Sequence, residues 1–252
     1  YFDYFLSINS YVTTLIISFT IGLGLLIFGK NSEKKINFIE KLILVILVYL
    51  LTSFLIALPF YLSNYQVTFL NSVFESISGI TGTGFSIFNN IKYLDPTLIL
   101  WRSTSQWIGG LYFLFFLIII FSNKQFNYKM NDLTFSGDGG VNSENNIKNL
   151  LLKIFIFYSL LSLIIFLALN ISGVRMFNSL NLSMSLISTG GFLPTNSLNS
   201  IIQSNIQKII LIFSLLISLL NFFLILNIFE KRYFIKNHSE DLYITTIALV
   251  FI

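Results

Sequence analysis

Cysteine is absent and histidine occurs once, as His238. Disulfide frameworks, thiolate metal sites, cysteine nucleophiles, His-cluster metal centres and most histidine-based catalysis are therefore excluded. Charge is scarce as well. Only 10% of the 252 residues are Asp, Glu, Lys or Arg, against about 25% in a soluble domain. Apolar residues fill the space: they make up 55%, Phe alone contributes 28, and mean hydropathy is +0.80. This composition excludes a disordered tail, a coiled-coil rod and nearly any soluble enzyme, and it marks a membrane protein. No His, Cys or carboxylate cluster suggests an enzyme, and no organic cofactor or nucleic-acid partner is expected. No basic–apolar–small signal pattern precedes the first apolar span. The sequence opens at Tyr1 and stops at Ile252, inside an apolar run from Leu242, so it reads as a piece of a longer protein.

Five stretches are long enough to cross a bilayer core, which needs about 20 apolar residues: Tyr11–Phe28, Leu42–Leu62, Thr97–Phe121, Leu150–Ile171 and Ile206–Phe229. A sixth begins at Leu242. No strand alternation for a barrel is visible, so the backbone must satisfy its hydrogen bonds as helices. Lys30, Lys34, Lys35, Lys41, Lys124, Lys129, Lys148, Lys153, Lys231, Arg232 and Lys236 fall on one side of these spans, 11 of the 15 basic residues. The positive-inside rule places that side in the cytoplasm. Spans two and four then run outward, and three and five run inward. Each outer connection holds a segment too short to span, Val67–Ile80 and Arg175–Ile187, followed by a Gly/Thr/Ser stretch. Such segments read as re-entrant or interfacial.

The two segments match. Asn71–Phe85 reads NSVFESISGITGTGF and Asn178–Phe192 reads NSLNLSMSLISTGGF, identical at seven of 15 positions at a constant offset of 107. The same offset lays span two on span four and span three on span five. The unit is an outward helix, a short re-entrant helix, a Gly-rich loop and an inward helix, and periods this long mean duplicated modules. The expected architecture is an all-α polytopic membrane protein with tandem helix–pore loop–helix repeats. Its parts are an N-terminal transmembrane helix (1–30), a first repeat (40–121), a cytoplasmic linker (122–149), a second repeat (150–230) and the start of a third (238–252).

The loops Thr81-Gly82-Thr83-Gly84 and Ser188-Thr189-Gly190-Gly191 carry the chemistry. Glycine lets successive carbonyls point the same way, and Thr and Ser add uncharged hydroxyl oxygens. A short helix ending at the loop aims its negative dipole end there. These features suit a partly dehydrated monovalent cation. They suit Mg²⁺ or Ca²⁺ poorly, since neither loop has the carboxylate such ions generally need, and they disfavour anions. The alternative is that the small residues merely allow tight helix packing.

Phe74-Glu75-Ser76-Ile77-Ser78-Gly79-Ile80-Thr81-Gly82-Thr83-Gly84 resembles the first pore loop of the TrkH/KtrB superfamily of potassium transporters. Trp101-Arg102-Ser103 with Gln106-Trp107-Ile108-Gly109-Gly110 resembles its WRS..QW.GG stretch. Thr189-Gly190-Gly191-Phe192 is similar to its second pore loop, and Asn221-Phe222 to an NF pair in the next helix. The match runs from about Leu42 to Asp241, and Tyr11–Phe28 favours the TrkH branch. The resemblance implies four repeats around one pore, two of them here. It implies channel-like uptake of K⁺, with Na⁺ as a second candidate ion, across a bacterial cytoplasmic (inner) membrane. It also implies a homodimer and a cytoplasmic nucleotide-binding partner of the TrkA type. An ion-coupled symporter and a half-pore closed by homodimerisation are the alternatives. The sequence departs from the family pattern where Gly82 replaces the middle Thr of TTTG, where Asn71 and Asn178 replace a common Asp, and where Leu182 replaces a frequent His.

Other polar residues have competing readings. Glu75 is either electrostatic support behind the loop or a hydrogen-bond acceptor for loop backbone or a neighbouring hydroxyl. Arg102 repels cations, holds loop carbonyls, or snorkels to the interface. Trp101 and Trp107 read as interface anchors, and Gly109-Gly110 as close packing or a hinge. His238, Asp132, Asp138 and Glu144 read as solvated, and the linker around the last three is a candidate docking surface.

Overall fold

The computed structural model describes residues 8–31, 36–121 and 144–219. Within them run seven α-helices: α1 (Ile8–Gly29), α2 (Phe38–Tyr61), α3 (Phe69–Ile80), α4 (Pro96–Phe121), α5 (Glu144–Ile171), α6 (Met176–Ile187) and α7 (Asn205–Leu219). There is no strand among the described residues. Asn221-Phe222, His238, Asp132, Asp138, Lys231 and the apolar run from Leu242 lie outside them.

Helices α1, α2, α4 and α5 are long and apolar enough to cross a membrane. They extend past the expected spans at several ends, and α5 begins at Glu144 rather than Leu150. Hydropathy marks the stretch that lipid surrounds, whereas a helix continues into polar sequence until something caps it. At the start of α2, the Glu40 carboxylate accepts from the Asn37 N–H at 2.9 Å, which satisfies an otherwise orphaned donor and places negative charge at the dipole's positive end. The Lys41 ammonium donates to the Ile119 carbonyl at 3.0 Å, so the start of α2 and the end of α4 share one face of the bundle.

Helices α3 and α6 have 12 residues each. At 1.5 Å per residue that is about 18 Å, well short of a core of about 30 Å. Thr68 caps α3, its side chain accepting from the Asn71 N–H at 3.4 Å. Helix α3 packs mainly on α2 and α4, and α6 mainly on α4 and α5. Two apolar cores follow. One joins Ile56 and Phe60 of α2, Ile80 of α3 and Leu98 of α4. The other joins Leu111, Leu114 and Ile118 of α4, Ile154, Tyr158 and Ile165 of α5, and Leu182 and Leu186 of α6. Helix α4 belongs to both. Away from it, α1 and α2 present Leu15, Leu26, Phe28, Ile39 and Leu47 outward, the faces that lipid would cover.

Outside the helices, the Tyr65 hydroxyl donates to the Tyr93 carbonyl at 3.0 Å and accepts from the Asp95 N–H at 2.6 Å. Burial, and next the Asp95 carboxylate, hold this phenol above its ordinary pKa. It therefore stays a neutral donor that pins the approach to α4.

The middle of α4 packs closely because it has no side chains there. A Cβ on Gly109 would run into the Ile80 backbone, and one on Gly110 would sit 3.2 Å from the Ser188 Cα. The pair brings α4 against the ends of both short helices, and the structure places it in close packing rather than at a bend. Gly109→Ala is expected to destabilise the detergent-purified protein by about 1–3 kcal/mol, the usual range for overpacking. Gly22→Ala, where nothing lies within 4 Å, should leave the thermal unfolding midpoint unchanged or slightly raised. Equal midpoints for the two variants would contradict this packing.

Candidate functional site

Both short helices end in the same way. In α3 the Gly82 N–H donates to the Gly79 carbonyl at 3.0 Å and the Thr83 N–H to the Ser78 carbonyl at 3.0 Å. In α6 the Thr189 N–H donates to Leu186 at 3.0 Å and the Gly190 N–H to Ser185 at 2.8 Å. These are Schellman caps, which require a left-handed residue just past the helix. Gly82 supplies it in the first loop, with φ of 67°, and Thr189 in the second, with φ of 52°. A second left-handed residue follows at the same offset, Gly84 at 79° and Gly191 at 81°. Gly82, a departure from the TTTG pattern, thus fits its backbone without strain, whereas Thr189 holds a conformation that is unusual for a β-branched residue.

The two loops lie side by side. A Cβ on Gly84 would stand 2.5 Å from the Gly190 carbonyl oxygen and 3.3 Å from the Gly191 Cα. Thr81, Thr83, Thr189 and Gly191 are exposed on the open side. The Thr81 and Thr83 hydroxyls are 2.7 Å apart, and the Thr189 hydroxyl donates to the Ser188 carbonyl at 2.7 Å. Thr81–Gly84 and Ser188–Gly191 therefore form two neighbouring strips of uncharged oxygen, each at the negative end of a helix dipole. No group of three or more His, Cys, Asp or Glu occurs among the described residues. The chemistry on offer here is that of main-chain and hydroxyl oxygen.

Behind the strips sits a buried ion pair. Glu75, on α3, is 0% exposed, and Arg102, on α4, is 1% exposed. Arg102 Nε donates to Glu75 Oε1 at 2.7 Å. Glu75 also accepts from the Ser86 hydroxyl at 3.0 Å and from the Ile87 N–H at 2.8 Å. The guanidinium donates to Ser86 Oγ at 2.9 Å and to the Leu193 carbonyl at 3.4 Å, and it lies 4.2 Å over the Phe192 ring. One arginine thus holds the chain just after each loop. Snorkelling does not describe Arg102, because its partner is within the protein. Of the readings open to Glu75 from sequence, the structure shows the hydrogen-bond acceptor, taking both a hydroxyl and loop backbone. At its repeat equivalent, Leu182 is buried in the apolar core and cannot do the same.

The second loop is held differently. Gln106, 0% exposed on α4, donates through Nε2 to the Gly190 carbonyl and accepts from the Phe192 N–H at 3.1 Å. Arg102, Gln106, Gly109 and Gly110 recur at helical spacing, so the Arg, Gln and Gly residues of WRS..QW.GG form one face of α4 turned to both loops. Sequence reasoning read Gln106 only as part of that stretch. Its partners lie more than 80 positions away, and the one local signal was a polar amide inside an apolar span. The tryptophans also make contacts that the sequence does not show. Trp101 donates to the Ile56 carbonyl at 3.0 Å, and Trp107 packs 5.3 Å from the Tyr158 ring. Both tie helices to one another.

Comparison with known proteins places these features in a wider set. A family model described as TrkH, cation transport protein, matches residues 7–246. A protein named as an uncharacterized cation transporter of Methanocaldococcus jannaschii is 29% identical over 181 residues, covering 69% of this chain and 38% of that protein. The Trk system potassium uptake protein TrkH of Escherichia coli K12 is 25% identical over 240 residues, covering 89% of this chain and 47% of that protein. The crystal structure of the potassium transporter TrkH from Vibrio parahaemolyticus superposes with a TM-score of 0.67 at 19% identity, over 95% of this chain and 54% of that one. The chain spans about half the length, or less, of the relatives it matches.

Removing one partner of a buried ion pair leaves an uncompensated charge, which costs about 3–5 kcal/mol. Arg102→Met is therefore expected to lower the thermal midpoint of the purified protein sharply. The double variant Glu75→Gln with Arg102→Met should recover much of that loss. If the two single effects simply add in the double variant, the pair is not an energetic unit.

Proposed function

The chain belongs to the TrkH family of cation transport proteins, and from that premise we propose that it forms part of a channel-like path for K⁺, with Na⁺ as a second permeant ion. Thr81–Gly84 and Ser188–Gly191 supply the oxygens of the selectivity filter. The observation that carries this reading is the pair of matched left-handed turns, at Gly82 and Thr189 and again at Gly84 and Gly191, set edge to edge at the ends of two short helices. A cation between such strips exchanges hydration water for carbonyls and hydroxyls, and the two helix C-termini add a favourable field without a fixed charge to trap it. Conduction needs binding weak enough to release, which uncharged ligands allow.

Two loops make half a ring. In this proposal residues 40–121 and 150–230 are two repeat units, and two further units complete the pore. The membrane is the bacterial cytoplasmic membrane, with residues 122–149 on its inner side. The assembled protein is a homodimer that works with a nucleotide-binding subunit of the TrkA type. Names of relatives as potassium uptake proteins support the choice of ion.

The test uses the complete protein in a bacterium deficient in potassium uptake. Gly84→Val places a Cβ against the Gly190 carbonyl and strains a left-handed backbone. Growth and Rb⁺ uptake at low external K⁺ are expected to fall to background, and Gly191→Val should do the same through strain alone. Uptake unchanged in both variants, with normal protein abundance, would falsify the filter assignment.

A further inference from the structure

The Gln106 carboxamide brackets Gly191. Its N–H donates to the carbonyl of the residue before and its oxygen accepts from the N–H of the residue after. Both ends of the amide are used, so the side chain cannot swing without breaking two bonds. Neither bond is water-exposed, since Gln106 is 0% exposed and Gly190 is buried between exposed Thr189 and Gly191. The Gly190 carbonyl is thus drawn back toward α4, while Gly191 is pushed out with φ of 81°.

We propose that Gln106 is a selectivity-determining positioning residue, one that withdraws the Gly190 oxygen from the permeating ion and leaves Ser188, Thr189 and Gly191 as the second loop's ligands. This rests on the filter reading above and refines it. The number of oxygens around the ion is one of the quantities that sets K⁺ against Na⁺, so the amide that counts one out acts on discrimination without touching the ion. The clamp is specific to this helix position in this repeat. At the equivalent position in α7 stands Phe213, which is exposed and has no group able to hold a carbonyl.

A merely structural role would alter how much protein is present and not how the remaining protein ranks cations. The experiment therefore measures the ratio of K⁺ to Na⁺ uptake per unit of membrane-inserted complete protein. In Gln106→Met both bonds are lost. In Gln106→Glu an ionised carboxylate keeps the acceptor for the Phe192 N–H and loses the donor to Gly190, with almost no change in size and one negative charge added, so Gln106→Met serves as the charge-free comparison. Loss of one hydrogen bond corresponds to roughly a fivefold to tenfold change in an equilibrium. Both variants release the Gly190 oxygen toward the ion and are expected to shift the K⁺/Na⁺ ratio toward K⁺, the larger ion that takes more oxygens, by about that factor. Ser103→Ala, which removes a hydroxyl bonded only within α4, should leave the ratio as it is. A ratio unchanged in Gln106→Glu, with uptake still abolished by Gly84→Val, overturns the role of Gln106 and spares the filter. Uptake that survives Gly84→Val and Gly191→Val overturns the filter, and this proposal with it.

Discussion

A loop held within the thickness of a membrane protein has no water to satisfy its amides and carbonyls, so the protein must supply each partner itself. That constraint organises the chain. The Schellman caps close two carbonyls at the end of α3 and two at the end of α6. The Glu75 carboxylate takes the Ile87 N–H and the Ser86 hydroxyl. Gln106 takes the Phe192 N–H and gives its own to Gly190. Thr81, Thr83, Thr189 and Gly191 stay exposed on the open side while the groups behind them are already occupied.

Helix α4 is the element through which these demands are met. It contributes to both apolar cores and lends its polar face to both loops. In lipid there is no hydrophobic drive to bring helices together, so close approach and internal hydrogen bonds take its place. Gly109 and Gly110 provide the first, and Arg102 and Gln106 the second. The second loop is therefore built on the helix that follows the first loop, and the two units are interlocked rather than merely adjacent.

Much of the fold was legible in the sequence because it depends on composition and period. Apolar length marks the long helices, and the 107-residue offset between Asn71–Phe85 and Asn178–Phe192 anticipates two loops of one backbone shape. Helix ends were less legible, as at Glu144, since lipid contact and helical continuation are different quantities. Least legible were the partners of the buried polar side chains. Read singly, Arg102 has several reasonable fates. Read with Glu75, the two opposite charges near the short helix of one repeat were a signal for pairing, because an isolated charge at such depth is costly. Gln106 had no such companion in sequence, and only tertiary structure brings Gly190 and Phe192 to it. Thr189 shows the opposite case. Its left-handed backbone is hidden by an ordinary residue type, and only alignment with Gly82 exposes it.

The ion pair behind the loops has one more consequence. Glu75 and Arg102 sit 2.7 Å apart at their nearest atoms and together sum to zero charge. A displacement of the intact pair along the membrane normal moves no net charge through the transmembrane field, and only net charge exchanges work with that field. Moved as a unit, the pair behind the loops is thus electrically silent toward membrane potential.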